Sequence, residues 1–174
     1  TPSSSSAASD VYKRQLDDLG LEHFMLEVGG EIQVRGTSPR GDSWRLAVER
    51  PTPGSRGQIF TAIEVSDIGV ATSGDYRNFF EDGGRRFSHL IDPRTGYPIE
   101  HDLVSVTVVH PSTMIADAWA TALMVVGTEE ALRLADLYEL AVFLISCQDD
   151  QLVSSHNDAM TQWLMEPEVG GETK

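Results

Sequence analysis

Gly29-Gly30 separates two five-residue runs, Phe24-Met25-Leu26-Glu27-Val28 and Glu31-Ile32-Gln33-Val34-Arg35, and this spacing constrains the fold more than any other feature of the chain. Two successive glycines tolerate the positive φ of a tight hairpin loop, so the runs are predicted to be adjacent antiparallel strands. The pattern recurs downstream. Residues 44–49 and 59–65 alternate apolar and polar side chains around a Pro/Gly-rich loop, residues 69–73 extend the strand character, and Phe79-Phe80 and residues 87–91 flank Asp82-Gly83-Gly84, a second hairpin signal. Residues 103–109 form a β-branched strand, and residues 140–146 a last one. Between them, Ser112 or Thr113 is placed to cap a helix over 114–126, Gly127 to end it, and Thr128 to cap a second helix reaching about residue 138. Many hairpins followed by two late helices predict an α+β fold, a mostly antiparallel sheet with helices packed on one face, and not a doubly wound parallel sheet.

At 174 residues, 40% of them hydrophobic, the chain suits one domain with a sizeable core. That domain is expected over 16–165. Residues 1–15 are Ser- and Ala-rich with no apolar period and read as a disordered or non-native tail, whether a native extension or a sequence-assembly scar. Residues 166–174 read as a flexible tail. The net charge of −14 opposes binding to nucleic acid, which demands clustered Lys and Arg, and an anionic ligand here would need a metal. The single cysteine, Cys147, excludes an intrachain disulfide and a cysteine-rich zinc site; following the apolar run 141–145, it is expected to be a buried thiol. No run reaches the roughly 20 apolar residues of a membrane helix, and no signal-peptide pattern is present.

Several residues have the chemistry of a site. Asp117 and Thr121 are four apart on a helix that is apolar on nearly every side, so a carboxylate and a hydroxyl share one face as hard oxygen ligands suited to Mg²⁺. The same spacing also fits a carboxylate near the positive helix terminus and a threonine bonded back to its own turn. His89 alternates with Phe87 and Ile91, as a half-buried strand histidine would. Asp92-Pro93 then ends the strand and Thr95-Gly96 completes a turn, projecting His89, Asp92 and Thr95 toward one loop region, with Arg94 facing either a phosphate or, as the simpler reading, solvent. Taken alone, Gly29-Gly30-Glu31 is a hairpin followed by an exposed glutamate, and residues 71–76 are a turn capped by Asp75.

Four segments, Leu-Glu-Val-Gly-Gly-Glu-Ile at 26–32, Ala-Thr-Ser-Gly-Asp-Tyr at 71–76, Ser-His-Leu-Ile-Asp-Pro-Arg-Thr-Gly at 88–96 and Ala-Asp-Ala-Trp-Ala-Thr at 116–121, together resemble the flavin transferases of the ApbE family, over about residues 19–155. The resemblance implies an ApbE or T-fold-like architecture and a Mg²⁺-dependent reaction. In it FMN moves from FAD, the substrate, to a Thr or Ser hydroxyl of an acceptor flavoprotein bearing a Ser/Thr-Gly-Ala-Thr type segment, with AMP released. It further implies a catalytic role for His89, cofactor-binding roles for Gly29, Gly30, Glu31, Ser73, Gly74, Asp92, Pro93 and Thr95, and metal binding by Asp117 and Thr121. Family members carry a further amino-terminal half with a glycine- and lysine-containing loop, so the chain is expected to correspond to their carboxy-terminal half. The chain itself fixes no location; the resemblance implies a periplasmic or cell-envelope setting, with anchoring through a preceding segment left open. Two readings stay beside transfer: an FAD pyrophosphatase yielding FMN and AMP, and a non-catalytic flavin-binding remnant. A Ser73–His89–Asp92 hydrolase triad is disfavoured because Ser73 lies in no Gly-Xaa-Ser-Xaa-Gly elbow.

Overall fold

The computed structural model describes residues 4–52, 57–74, 79–82 and 85–165. Along the chain these form α1 (Ser4–Asp18), β1 (Phe24–Val28), β2 (Glu31–Arg35), β3 (Trp44–Glu49), β4 (Ile59–Val65), β5 (Gly69–Gly74), β6 (Phe79–Asp82) and β7 (Arg85–Ser88). There follow β8 (Ile91–Asp92), β9 (Tyr97–Pro98), β10 (Leu103–His110), α2 (Thr113–Val126), α3 (Thr128–Leu137), β11 (Ala141–Gln148), β12 (Gln151–His156) and α4 (Asp158–Thr161). Six strands pair in the order β1-β2-β5-β10-β11-β12, every neighbouring pair antiparallel.

The β-branched composition of β10 and the apolar run of β11 place them at the centre, where both faces of the sheet are covered. Val106, Val108, Val142 and Leu144 face α2 and α3 and bury their side chains against Ala116, Ala120, Leu123 and Met124. On the opposite face Val109, Phe143 and Ile145 meet Leu46, Val48, Ile63 and Val65 of the β3–β4 hairpin and Met160 of α4. The long helices α2 and α3 therefore pack on one face, as expected, and a separate two-stranded hairpin closes the other together with the short α4. Among the described residues no helix is long and apolar enough to cross a membrane.

The β1–β2 hairpin forms across Gly29-Gly30 in the expected register, with Val28 opposite Glu31. α2 begins at the Ser112 cap, whose side chain accepts a hydrogen bond from the Ile115 amide, and ends at Gly127 with φ 84°. It buries a single face, with Thr113, Ala116, Ala120, Leu123 and Met124, leaving Ile115 exposed and Asp117 only half-buried, so it is less enclosed than its composition suggested. α3 starts directly after Gly127, and Thr128 makes no capping bond; its hydroxyl instead lies 2.8 Å from that of Ser146.

Three expectations are corrected. The strand expected over 140–146 is not the last: β12 follows it at the sheet edge, where its mostly exposed, polar side chains give little apolar alternation to read. Over 1–15, where an unstructured tail was expected, residues from Ser4 onward lie in α1, packed beside β1, β2 and α2, with Ser112 donating to the Asp10 carboxylate at 2.6 Å. A polar helix with exposed Val11 and Tyr12 has no apolar stripe for periodicity to detect. Cys147 is exposed: β11 buries its first six residues, and Cys147, on the same face as Phe143 and Ile145, lies beyond what packs against that face. The Gly83-Gly84 turn, Asp75, Tyr76 and the 166–174 tail lie outside the described residues.

Candidate functional site

Gly29 and Gly30 adopt φ of 70° and 101°, and a Cβ at Gly30 would meet nothing within 4 Å. Both line one wall of a cavity of about 500 Å³, and Gly30 leaves open space where a side chain would stand. Ser73 and Gly74 at the end of β5, His89 just beyond β7, and Thr121 on α2 form other parts of the wall, while Leu46, Val48 and Ile63 give it an apolar side. Six of the residues singled out in the sequence thus converge from four separated segments. His89 is exposed into this space and is not the half-buried strand residue that alternation suggested, because β7 stops at Ser88.

The cavity carries two hydroxyl pairs. The Ser73 and Thr121 oxygens are 3.0 Å apart, and those of Thr72 and Thr107 are 2.9 Å apart. Asp117 lies one turn before Thr121 on the same helical face. Glu31 is buried, with 8% of its surface exposed, where the sequence suggested an exposed residue. Its placement follows from the strand period: Gln33, two residues on and so on the same face, accepts a hydrogen bond from the Thr113 hydroxyl of α2 at 2.7 Å. β2 runs antiparallel to β5, and α2 runs parallel to β5 from Gly69 beside Thr113 to Ser73 beside Thr121. Glu31 therefore comes level with the helical turn bearing Asp117.

Asp92 and Thr95 sit elsewhere. They line a second cavity of about 570 Å³, together with Arg94, Tyr97 and His101, and Pro93 is exposed at the start of the intervening turn. The turn forms as expected, with the Gly96 amide donating to the Asp92 carbonyl at 2.8 Å. Arg94 does not merely face solvent: its Nε and Nη2 hold the Asp92 carboxylate at 3.0 and 2.8 Å, and its amide adds a third bond at 2.8 Å. The local turn thus consumes the carboxylate that the sequence pointed toward His89. The Arg94 side-chain hydrogen bond, reinforced by the amide, holds the Asp92 carboxyl below the usual carboxylate range. The pair's contribution to stability is present above the unfolded carboxylate pKa and is lost as pH falls through the lower folded value. A carboxyl ¹³C NMR titration should accordingly show Asp92 titrating later than free aspartate on acidification, and Arg94→Ala should move its midpoint upward; an unmoved midpoint would contradict the assignment.

The polar residues missed by sequence reasoning are Thr72, Thr107, Glu27 and Glu49, which also line the first cavity. Polar Ser105 and Thr107 amid the valines of β10 are a signal that could have found the threonine pair. Among the described residues no three His, Cys, Asp or Glu side chains converge to hold a metal ion. Glu27 and Glu49 line the cavity, and Asp117 lies one turn from Thr121, which also lines it. A carboxylate and a hydroxyl oxygen such as those of Asp117 and Thr121 fit a hard cation that takes few protein ligands and completes its shell with water and substrate phosphate, as Mg²⁺ does.

A mostly antiparallel α+β domain with a glycine- and hydroxyl-walled cavity at the end of β5 defines the class of protein. The ApbE family model matches residues 5–144, and the chain belongs to the ApbE family. It is similar to the FAD:protein FMN transferase of Haemophilus influenzae, 41% identical over 150 residues that cover 86% of this chain and 43% of the relative. It is also similar to the FAD:protein FMN transferase of Vibrio cholerae, 45% identical over 141 residues, 81% of this chain and 42% of that one. Among solved structures, the apo flavinyl transferase ApbE of Pseudomonas stutzeri superposes with a TM-score of 0.79 at 39% identity, covering 92% of this chain and 49% of that one. The flavin transferase ApbE of Vibrio cholerae gives 0.80 at 39% identity, covering 92% and 50%. The chain thus spans less than half the length of the curated relatives it matches.

Proposed function

We propose that this chain supplies the carboxy-terminal part of an FAD:protein FMN transferase that moves FMN from FAD to a Thr or Ser hydroxyl of an acceptor flavoprotein. The observation that carries the reading is the convergence of Gly29, Gly30, Ser73, Gly74, His89 and Thr121 on one cavity, joined to the activity named for the relatives. In the reaction the acceptor oxygen forms a bond to the FMN phosphorus, the pyrophosphate bond breaks, and AMP leaves. The hydroxyl proton passes to His89, whose ring stands exposed at the cavity wall. Gly29 and Gly30 admit the dinucleotide close to backbone, where a side chain would exclude it. Mg²⁺ would be held by Asp117 and Thr121 and would supply charge neutralisation for the pyrophosphate. The acidic chain then binds an anionic substrate through the cation and not through a basic patch.

The test mixes FAD, Mg²⁺ and a peptide bearing Ser-Gly-Ala-Thr with this chain, alone and joined to the further length that its relatives carry, and looks by mass spectrometry for peptide-bound FMN. The joined protein is expected to transfer FMN and the chain alone to transfer little or none. Release of free FMN and AMP with no labelled peptide would replace the proposal with an FAD pyrophosphatase. Neither product from the joined protein would favour a flavin-binding remnant.

A further inference from the structure

Ser73 and Thr121 belong to different elements, yet their hydroxyl oxygens are 3.0 Å apart at the cavity wall. Each partner is fixed independently. Ser73 is held in β5 opposite Val106 of β10, a fully buried residue beneath α2. Thr121 follows Ala120, which is fully buried against the same sheet. Sheet register and helix docking therefore hold the two backbones where the hydroxyls reach each other.

A threonine hydroxyl has one hydrogen and two lone pairs. To act as a cation ligand it must aim a lone pair at the ion, so its hydrogen needs an acceptor pointing elsewhere. On a helix the default acceptor is the carbonyl four residues back, here that of Asp117. That choice would leave the orientation of the oxygen to the helix alone. An acceptor across the cavity wall resolves the ambiguity, as outer partners of metal ligands commonly do.

We propose that Ser73 is a positioning residue for the metal site: its Oγ accepts the Thr121 hydroxyl proton and so turns a Thr121 lone pair toward the divalent cation. This rests on the reading of Asp117 and Thr121 as cation ligands. Ser73 acts through Thr121, and the assignment differs from a nucleotide contact because it concerns cation affinity in the absence of FAD.

The experiment titrates the chain with Mn²⁺ as a paramagnetic substitute for Mg²⁺, without FAD, and follows free Mn²⁺ by electron paramagnetic resonance. Ser73→Ala is expected to weaken Mn²⁺ binding about tenfold, the lower end of the range for removing an outer partner of a metal ligand. Ser73→Thr, which keeps a hydroxyl on a side chain suited to a strand, is expected to restore it, and Asp117→Ala to abolish it. Far-ultraviolet circular dichroism and thermal melts of each variant separate lost affinity from lost fold. If Asp117→Ala abolishes binding while a folded Ser73→Ala binds as the parent does, the positioning role is overturned and the metal site stands. If Asp117→Ala leaves binding unchanged, or the parent chain binds no Mn²⁺ at millimolar concentration, the metal site and the role of Ser73 both fall. Weakened binding in Ser73→Ala that Ser73→Thr does not restore also overturns the role, since the hydroxyl would then not be what matters.

Discussion

His89→Ala, in the chain joined to the further length of its relatives, is expected to lower FMN transfer by about 10²–10⁴-fold, the range for loss of a general acid–base group. FAD affinity is expected to change by no more than about threefold. The asymmetry follows from where the proton moves. His89 stands exposed at the wall of the cavity, outside the buried core, so removing its ring leaves the Gly29–Gly30 turn, β5 and α2 in place. The loss falls on a contact that strengthens in the transition state, and therefore on kcat more than on binding. Stopped reactions analysed by mass spectrometry give the rate, and quenching of flavin fluorescence gives the affinity. An equal fall in both would make His89 a binding residue. An unchanged rate would remove it from the chemistry.

Most of the strand content of this fold was legible because its turns are explicit, whereas the exposed edge strand β12 was not. Gly29-Gly30 and Asp92-Pro93 punctuate the chain at positions where only particular residues satisfy the backbone. The caps of α2 were equally readable, since Ser112 and Gly127 act through their own local geometry. What stayed hidden was set by partners far along the chain. Glu31 reads as an exposed hairpin residue until β2 is placed beside β5 and under α2, which buries it. Cys147 follows an apolar run, but among the described residues no distant element packs over it, so it is exposed where Ile145, two residues before on the same face, is buried. Asp92 and His89 are three apart and seemed bound for one pocket. The Arg94 side chain, two residues on, instead turns the carboxylate into its own loop, a competition between local and distant partners that spacing does not resolve. The site was legible as a set of segments, and its internal geometry was not, because hydroxyl pairs such as Ser73 with Thr121 exist only through sheet register.

Gly69→Ala is expected to destabilise the domain by about 1–3 kcal/mol, as forced overpacking does, and to disturb the site from a distance. Gly69 opens β5 and pairs with both His110 and Gln33, so it lies where β2, β5 and β10 meet the start of α2. A Cβ there would fall 2.7 Å from the Thr113 hydroxyl, 2.9 Å from the Thr113 amide nitrogen and 3.0 Å from the His110 carbonyl oxygen. Two of those three atoms are backbone, so no rotamer change relieves the clash. Thr113 is itself buried and hydrogen-bonded to Gln33 at 2.7 Å. The first turn of α2 must therefore lift from the sheet. Since β5 carries Ser73 and α2 carries Asp117 and Thr121, the lift separates the oxygens that the docking of helix on sheet brings together. Urea denaturation followed by circular dichroism should place the midpoint of Gly69→Ala below that of the parent, and the Mn²⁺ titration should show weaker binding in the folded variant. Adding Thr113→Ala removes the nearest atom but leaves the amide at 2.9 Å. The double substitution is thus expected to recover part of the overpacking loss, at the expense of the Gln33 bond. A Gly69→Ala variant as stable as its parent would show that the junction of helix and sheet is looser than these contacts require, and that close docking at Gly69 does not set the site.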